Sequence, residues 1–208
     1  QVPLGDHQQG RAGHLGGGFQ TGLVVVAVGQ VDEQGAGPGA AHQGQAGPGL
    51  PGAGHGVAAQ ALDGVRHCYA RAGQLRDLRL HGDCHPGNMM CRDEVFHIVD
   101  LDDCRMGPAV QDLWMMLAGE RHERLGQLAE LVDGYQEFHD FAARELPLIE
   151  GLRALRLMHH SAWIARRWDD PAFPLAFPWF AGERYWGDQI LALREQMAAL
   201  DEEPLRLF

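Results

Sequence analysis

The stretch His81-Gly82-Asp83-Cys84-His85-Pro86-Gly87-Asn88, followed by Ile98-Val99-Asp100-Leu101-Asp102-Asp103, constrains this chain more than any other feature. It sets an Asp, an Asn five residues on and a second Asp seventeen residues on, each at the end of a short apolar run. Pro86-Gly87 cannot continue a helix, because the proline ring removes a backbone donor and glycine takes positive φ at little cost. The segment is therefore a loop that lets Asp83 and Asn88 point at one cavity.

Oxygen side chains at this spacing suit phosphoryl transfer. In protein kinases the catalytic-loop Asp accepts the proton of the acceptor hydroxyl, while an Asn five positions later and an Asp beyond it hold magnesium against the phosphates. Asp83, Asn88 and Asp100 stand in that order. Magnesium is a hard ion that takes oxygen ligands in near-octahedral geometry, so a carboxylate and an amide carbonyl serve it where the nearby thiols do not.

A third block joins these two. The run from Leu80 to Asn88, the segment Val99-Asp100-Leu101-Asp102-Asp103 and the segment Gly107-Pro108-Ala109-Val110-Gln111-Asp112-Leu113-Trp114-Met115 together resemble the aminoglycoside phosphotransferase and choline kinase superfamily over residues 65–208. The resemblance implies an α+β, protein-kinase-like fold: a mainly helical C-terminal lobe with a short catalytic β-hairpin. It implies Asp83 and Asp100 as catalytic residues, Asn88 and Asp100 as ligands of Mg2+, and Asp112 as a brace for the catalytic-loop backbone. ATP is the implied co-substrate and a protein Ser or Thr hydroxyl the implied acceptor, with a small molecule of aminoglycoside or choline type as the alternative. His81 and His85 read as residues that hold the loop around Asp83, and Asp102 and Asp103 as turn or cap residues, since Asp bonds readily to nearby backbone.

A kinase of this kind also needs a small N-terminal lobe, with a glycine-rich loop over the phosphates and a lysine on its third strand. This chain has no lysine; its seventeen basic side chains are all arginine, whose flat fork does not replace a compact ammonium. Residues 1–60 carry 17 of the 28 glycines and only Asp6, Arg11, Asp32 and Glu33 as charged groups. Such a stretch buries too little apolar surface to offset the entropy of ordering it, so residues 1–56 are expected to be low-complexity and disordered, and residues 57–208 to fold. A single strand is expected over 21–31. The glycine runs 13–18 and 35–39 lack the flanking strands and following lysine of a phosphate loop. The chain opens on Gln1 and changes composition near Ala58, so we expect an out-of-frame stretch joined to a kinase C-lobe, with the N-terminal lobe absent. On that expectation the 208-residue chain binds ATP poorly and transfers no phosphate.

Charge and composition exclude other classes. The net charge is −11 and no basic stripe forms, which argues against nucleic acid and anionic membrane as partners. No apolar run approaches twenty residues, and Cys68, Cys84, Cys91 and Cys104 form no CxxC pair, so the expectation is a cytoplasmic monomer with reduced thiols. A rival reading takes His81, Asp83 and His85, with Cys84 and His97, as a zinc hydrolase; it leaves Pro86-Gly87-Asn88 unexplained. A third reading is a non-catalytic kinase-like remnant that binds a partner.

Periodicity places the elements. It predicts a helix over 57–72 stopped by Gly73, a lead-in at 78–80, and a hairpin of 89–91 with 95–99 across Arg92-Asp93-Glu94. Helices follow from Pro108, with Leu113, Trp114, Met116 and Leu117 as a buried stripe, then over 125–141, 148–168 and 188–200, with a break at 170–178. The aromatic residues between Phe173 and Trp186 are either a packed cap or part of an acceptor-binding wall. Arg166-Arg167, between Trp163 and Trp168, reads as a solvated or ion-paired edge.

Overall fold

The computed structural model describes residues 52–207. Of the expected disorder over 1–56, residues 1–51 lie outside the described residues, as do the expected strand over 21–31 and the two glycine runs, whereas 52–56 form the first turns of a helix. Along the chain come α1 (Gly52–Ala72), β1 (Leu78–Leu80), β2 (Met89–Arg92), β3 (Val95–Ile98), β4 (Arg105–Gly107), α2 (Val110–Leu113), α3 (Arg121–Gln136), α4 (Leu148–Ala165), α5 (Ala172–Ala176) and α6 (Glu183–Leu200). Short 3-10 turns lie at Pro86–Asn88, Leu101–Asp103, Trp114–Met116 and Ala143–Glu145.

Val57, Ala61, Leu62, Val65, Cys68 and Ala72 recur at helical spacing and are all buried, so α1 has one apolar stripe. That stripe packs on α4 and α6, which also pack on each other. Leu148, Ile149, Leu152 and Leu155 from α4, Leu193 from α6 and Leu128 and Val132 from α3 complete the core. The helix begins at Gly52 instead of Val57; Gly54 is buried, so packing sustains a turn that glycine's low propensity does not announce. It ends as expected at Gly73, whose φ of +68° turns the chain while its N–H donates to the Tyr69 carbonyl at 3.1 Å.

The remaining helix limits differ from the periodic reading for local reasons. α3 starts at Arg121 because the Glu123 carboxylate accepts from the Glu120 N–H at 2.7 Å, and it stops at Gln136, short of Phe141. α4 ends at Ala165, after which i to i+3 bonds at Arg167 and Trp168 tighten the chain and bring Trp168 within 5.2 Å of the Phe180 ring. α6 begins at Glu183, five residues before its expected start, because Tyr185 and Trp186 dock on Phe180 from its first turn. Phe180, Ile164 and Trp186 form a second buried cluster, so the aromatic segment is a packed cap at its centre, with Trp163 and Trp179 at its margin. Arg167 lies over the Trp163 ring at 4.7 Å, as an edge residue would.

The strands form two small antiparallel pairs. β2 and β3 are joined by Asp93-Glu94, both at positive φ, which matches the twist of a two-residue hairpin; Arg92, read as part of the loop, pairs with Val95. Val99 lies beyond β3, although its N–H still donates to the Asn88 carbonyl at 3.0 Å. The second pair, β1 with β4, joins Leu78 to Gly107 and Leu80 to Arg105. β4 was not foreseen, because three residues carry too little pattern and the pairing closes a long loop.

Candidate active site

The loop after β1 is held from below by α2. Asp112 accepts the His81 N–H through Oδ2 at 2.7 Å and the Gly82 N–H through Oδ1 at 2.9 Å, so one carboxylate grips two successive amides. α2 is in turn tied down at Val110, whose N–H donates to Oε2 of buried Glu145 at 2.9 Å. Burial pushes the Glu145 carboxyl up, against the opposite pull of the backbone donors at Val110 and Ala109. Gly82 sits at φ +88°, and a Cβ there would lie 2.1 Å from the Asp103 carbonyl oxygen, so a side chain is excluded.

His81 ties the loop to the strand that precedes Asp100. Its Nδ1 accepts the Asp83 N–H at 3.3 Å, which leaves Nε2 to donate to the Val99 carbonyl at 2.8 Å. Asn88, buried, donates from Nδ2 to the Asp83 carbonyl at 3.0 Å, and its own carbonyl takes the Val99 N–H. Both backbone groups of Val99 are therefore spent on the loop, and Asp100 is the next residue. Asp100 adopts the left-handed conformation, φ 64° and ψ 66°, and its carboxylate makes no cap hydrogen bond to the turn that follows. A non-glycine residue held there costs about 1–3 kcal/mol, which the network around Val99 must sustain.

The structure thus links Asp83, Asn88, His81 and Asp112 to Val99, the residue before Asp100, through one set of hydrogen bonds. Asp102 and Asp103 lie in the 3-10 turn after Asp100, and Asp103 pairs with Arg105 at 3.1 Å. Among the described residues no three His, Cys, Asp or Glu side chains converge as a metal-holding group. Both His81 nitrogens are engaged with backbone, and His85 Nδ1 accepts the Gly87 N–H at 3.0 Å, so neither His81 nitrogen is open to a metal. Asn88 and Asp100 fit a magnesium ion better, since that ion keeps waters and substrate oxygens and needs few protein ligands. The Nδ2 bond of Asn88 to the Asp83 carbonyl leaves its amide oxygen open to a cation.

Two further groups touch the site. Arg156 on α4 meets Asp83 Oδ1 through Nη1 at 2.5 Å, and His85 Nε2 lies 3.6 Å from the other oxygen. Beside them a cleft is lined by Gly82, Asp103, Arg105, Gln111, Trp114 and His159. Burial above all, then the charges of Arg105 and Arg156, pushes His159 down; burial and Arg156 do the same to His160. Burial pushes the Cys84 thiol up, with Asp112 and Asp83 adding to the shift, so it is no reactive thiolate. Sequence reasoning missed Arg156; its one signal was a polar Arg156-His159-His160 face interrupting the apolar helix.

A loop pinned by a helix carboxylate is thus joined by hydrogen bonds to Val99, the residue before Asp100, at the end of a short hairpin. The model of the phosphotransferase enzyme family (APH) matches residues 52–155, and the chain belongs to that family. It is 54% identical over 130 residues to stress response kinase A of Escherichia coli K12, covering 62% of this chain and 39% of that protein. It is 49% identical over 146 residues to the serine/threonine protein kinase RdoA of Salmonella typhimurium LT2, covering 70% of this chain and 44% of that one. The chain thus spans about two-fifths of the length of these relatives. Among solved structures, the microcompartment-associated aminopropanol kinase superposes with a TM-score of 0.54 at 17% identity, over 93% of this chain and 66% of that one. That likeness concerns the fold, a mainly helical kinase-like lobe with a short hairpin.

Proposed function

We propose that this chain carries the catalytic loop and metal-binding residues of an ATP-dependent phosphotransferase, a cytoplasmic kinase that acts on Ser or Thr hydroxyls of proteins. The observation that supports the reading is the network from Asp112 through His81 and Gly82 to Val99, which ties the backbones of Asp83 and Asn88 to the residue before Asp100. The name of the relative at 49% identity, a serine/threonine protein kinase, supports the protein acceptor.

Asp83 receives the hydrogen bond of the acceptor hydroxyl and takes its proton as the acceptor oxygen bonds to the γ-phosphorus and the bond to the ADP leaving group breaks. Asn88 and Asp100 would hold Mg2+, which when bound neutralises charge on the phosphates. His81 keeps the residue before Asp100 fixed to the loop, and Asp112 keeps that loop from drifting away from the acceptor.

The test is γ-phosphate transfer by the full-length gene product to protein and to aminoglycoside acceptors. Asp83→Asn should lower kcat about 10²- to 10⁴-fold with nucleotide affinity nearly intact. Asp100→Ala should weaken magnesium-dependent nucleotide binding as well, and Asn88→Ala should do so more mildly. Full turnover in Asp83→Asn would remove Asp83 as the base, and transfer to aminoglycosides alone would overturn the protein acceptor.

A further inference from the structure

We propose that Arg156 is a positioning residue that fixes the Asp83 carboxylate so that one of its oxygens is presented to the acceptor hydroxyl. The inference rests on the reading of Asp83 as the acceptor-orienting base and adds a residue to it from a distant helix.

The hydrogen bonds of the loop fix the backbone of Asp83 and leave its carboxylate to turn about the side-chain bonds. Its N–H goes to His81 and its carbonyl to Asn88 and the His85 N–H; none of these reaches the carboxylate. Arg156 Nη1 supplies that constraint at 2.5 Å from Oδ1, across 73 residues of sequence. Among the described residues the nearest basic group to Oδ2 is His85 Nε2, at 3.6 Å, which is too long for a hydrogen bond. One oxygen is clamped and the other is left for the incoming O–H.

The clamp is rigid at its root and wet at its tip. Leu152, Leu155 and Met158, on the buried face of α4, are no more than 3% exposed, so the Arg156 backbone has a fixed place. Its side chain is 44% exposed against 16% for Asp83. A pair so open to water contributes little to fold stability, so a merely structural role predicts little effect of its removal on turnover. A base displaced from its productive geometry by a fraction of an ångström, by contrast, loses rate steeply.

The experiment uses the full-length gene product and γ-phosphate transfer, comparing Arg156→Ala, Arg156→Lys and Asp83→Asn. Arg156→Ala should lower kcat about 10- to 100-fold with the KM for ATP within about twofold, since the displaced group is the base and not the nucleotide site. Arg156→Lys should keep part of the rate, and its melting temperature and that of Arg156→Ala should stay near wild type. Millimolar guanidinium should restore turnover in Arg156→Ala, because the exposed site can admit the missing group, and should do nothing for Asp83→Asn. Wild-type kcat in Arg156→Ala, or a loss that neither lysine nor guanidinium relieves, overturns the proposal while leaving the role of Asp83 intact. Full activity in Asp83→Asn removes the reading underneath it.

Discussion

Where α1, α4 and α6 meet, Val65, Leu148, Ile149 and Leu193 are at most 2% exposed; across the hairpin Phe96 is 73% exposed, Met90 58% and Val95 54%. The residue types are alike and their surroundings opposite. The helices bury their stripes on one another, so their stability comes from contacts within residues 52–207. The hairpin satisfies its backbone by strand pairing alone, and a lone two-stranded hairpin is marginal in water. The chemistry-bearing residues nevertheless sit at its open end, Asn88 just before β2 and Asp100 just after Ile98-Val99. The link to the helices runs through His81 and Asp112, not through an apolar core beneath the strands.

The contrast can be tested from its strongest consequence downward. Phe180→Ala, which empties the centre of the aromatic cap, should cost about 3–5 kcal/mol and show as a much earlier denaturant midpoint. A loss under about 1 kcal/mol would mean that the cap is a surface feature and not a second core. Gly82→Ala should come next. The new methyl group would strike the Asp103 carbonyl, at a cost of about 1–3 kcal/mol and with exchange protection lost at the His81 and Gly82 amides. Protection that survives would show that Asp112 holds the loop even when it is strained.

Glu145 sharpens the comparison through pH. Burial raises its carboxyl above the unfolded value of about 4.3, so its stabilising contribution is complete below that value and is lost as pH rises through the folded one. Glu145→Gln keeps an acceptor for the Val110 N–H without a buried charge, so its melting temperature should gain on wild type as pH rises above the ordinary carboxylate range. A constant difference would place the effect in packing. The smallest change is expected for Phe96→Ser, within about 0.5 kcal/mol, because an exposed ring has little burial to lose. A drop of several degrees in melting temperature would show that the hairpin face is part of the core, and the contrast would fail.

The sequence by itself determined what short-range chemistry dictates. Pro86-Gly87 makes a loop, Gly73 stops α1, the apolar stripe of α4 runs from Leu148, and the spacing of Asp83, Asn88 and Asp100 marks them out before any coordinates are known. These features depend on neighbours within a turn or two, where steric and hydrogen-bonding rules act on adjacent residues. The tertiary structure alone decided the pairing of β1 with β4, the burial of Glu145 against Val110 and the contact of Arg156 with Asp83. Each joins segments well apart in the chain, and the partners meet because the packed helices turn particular faces toward each other. Local periodicity records that a helix has a polar face; which loop that face will meet is decided only when the core closes.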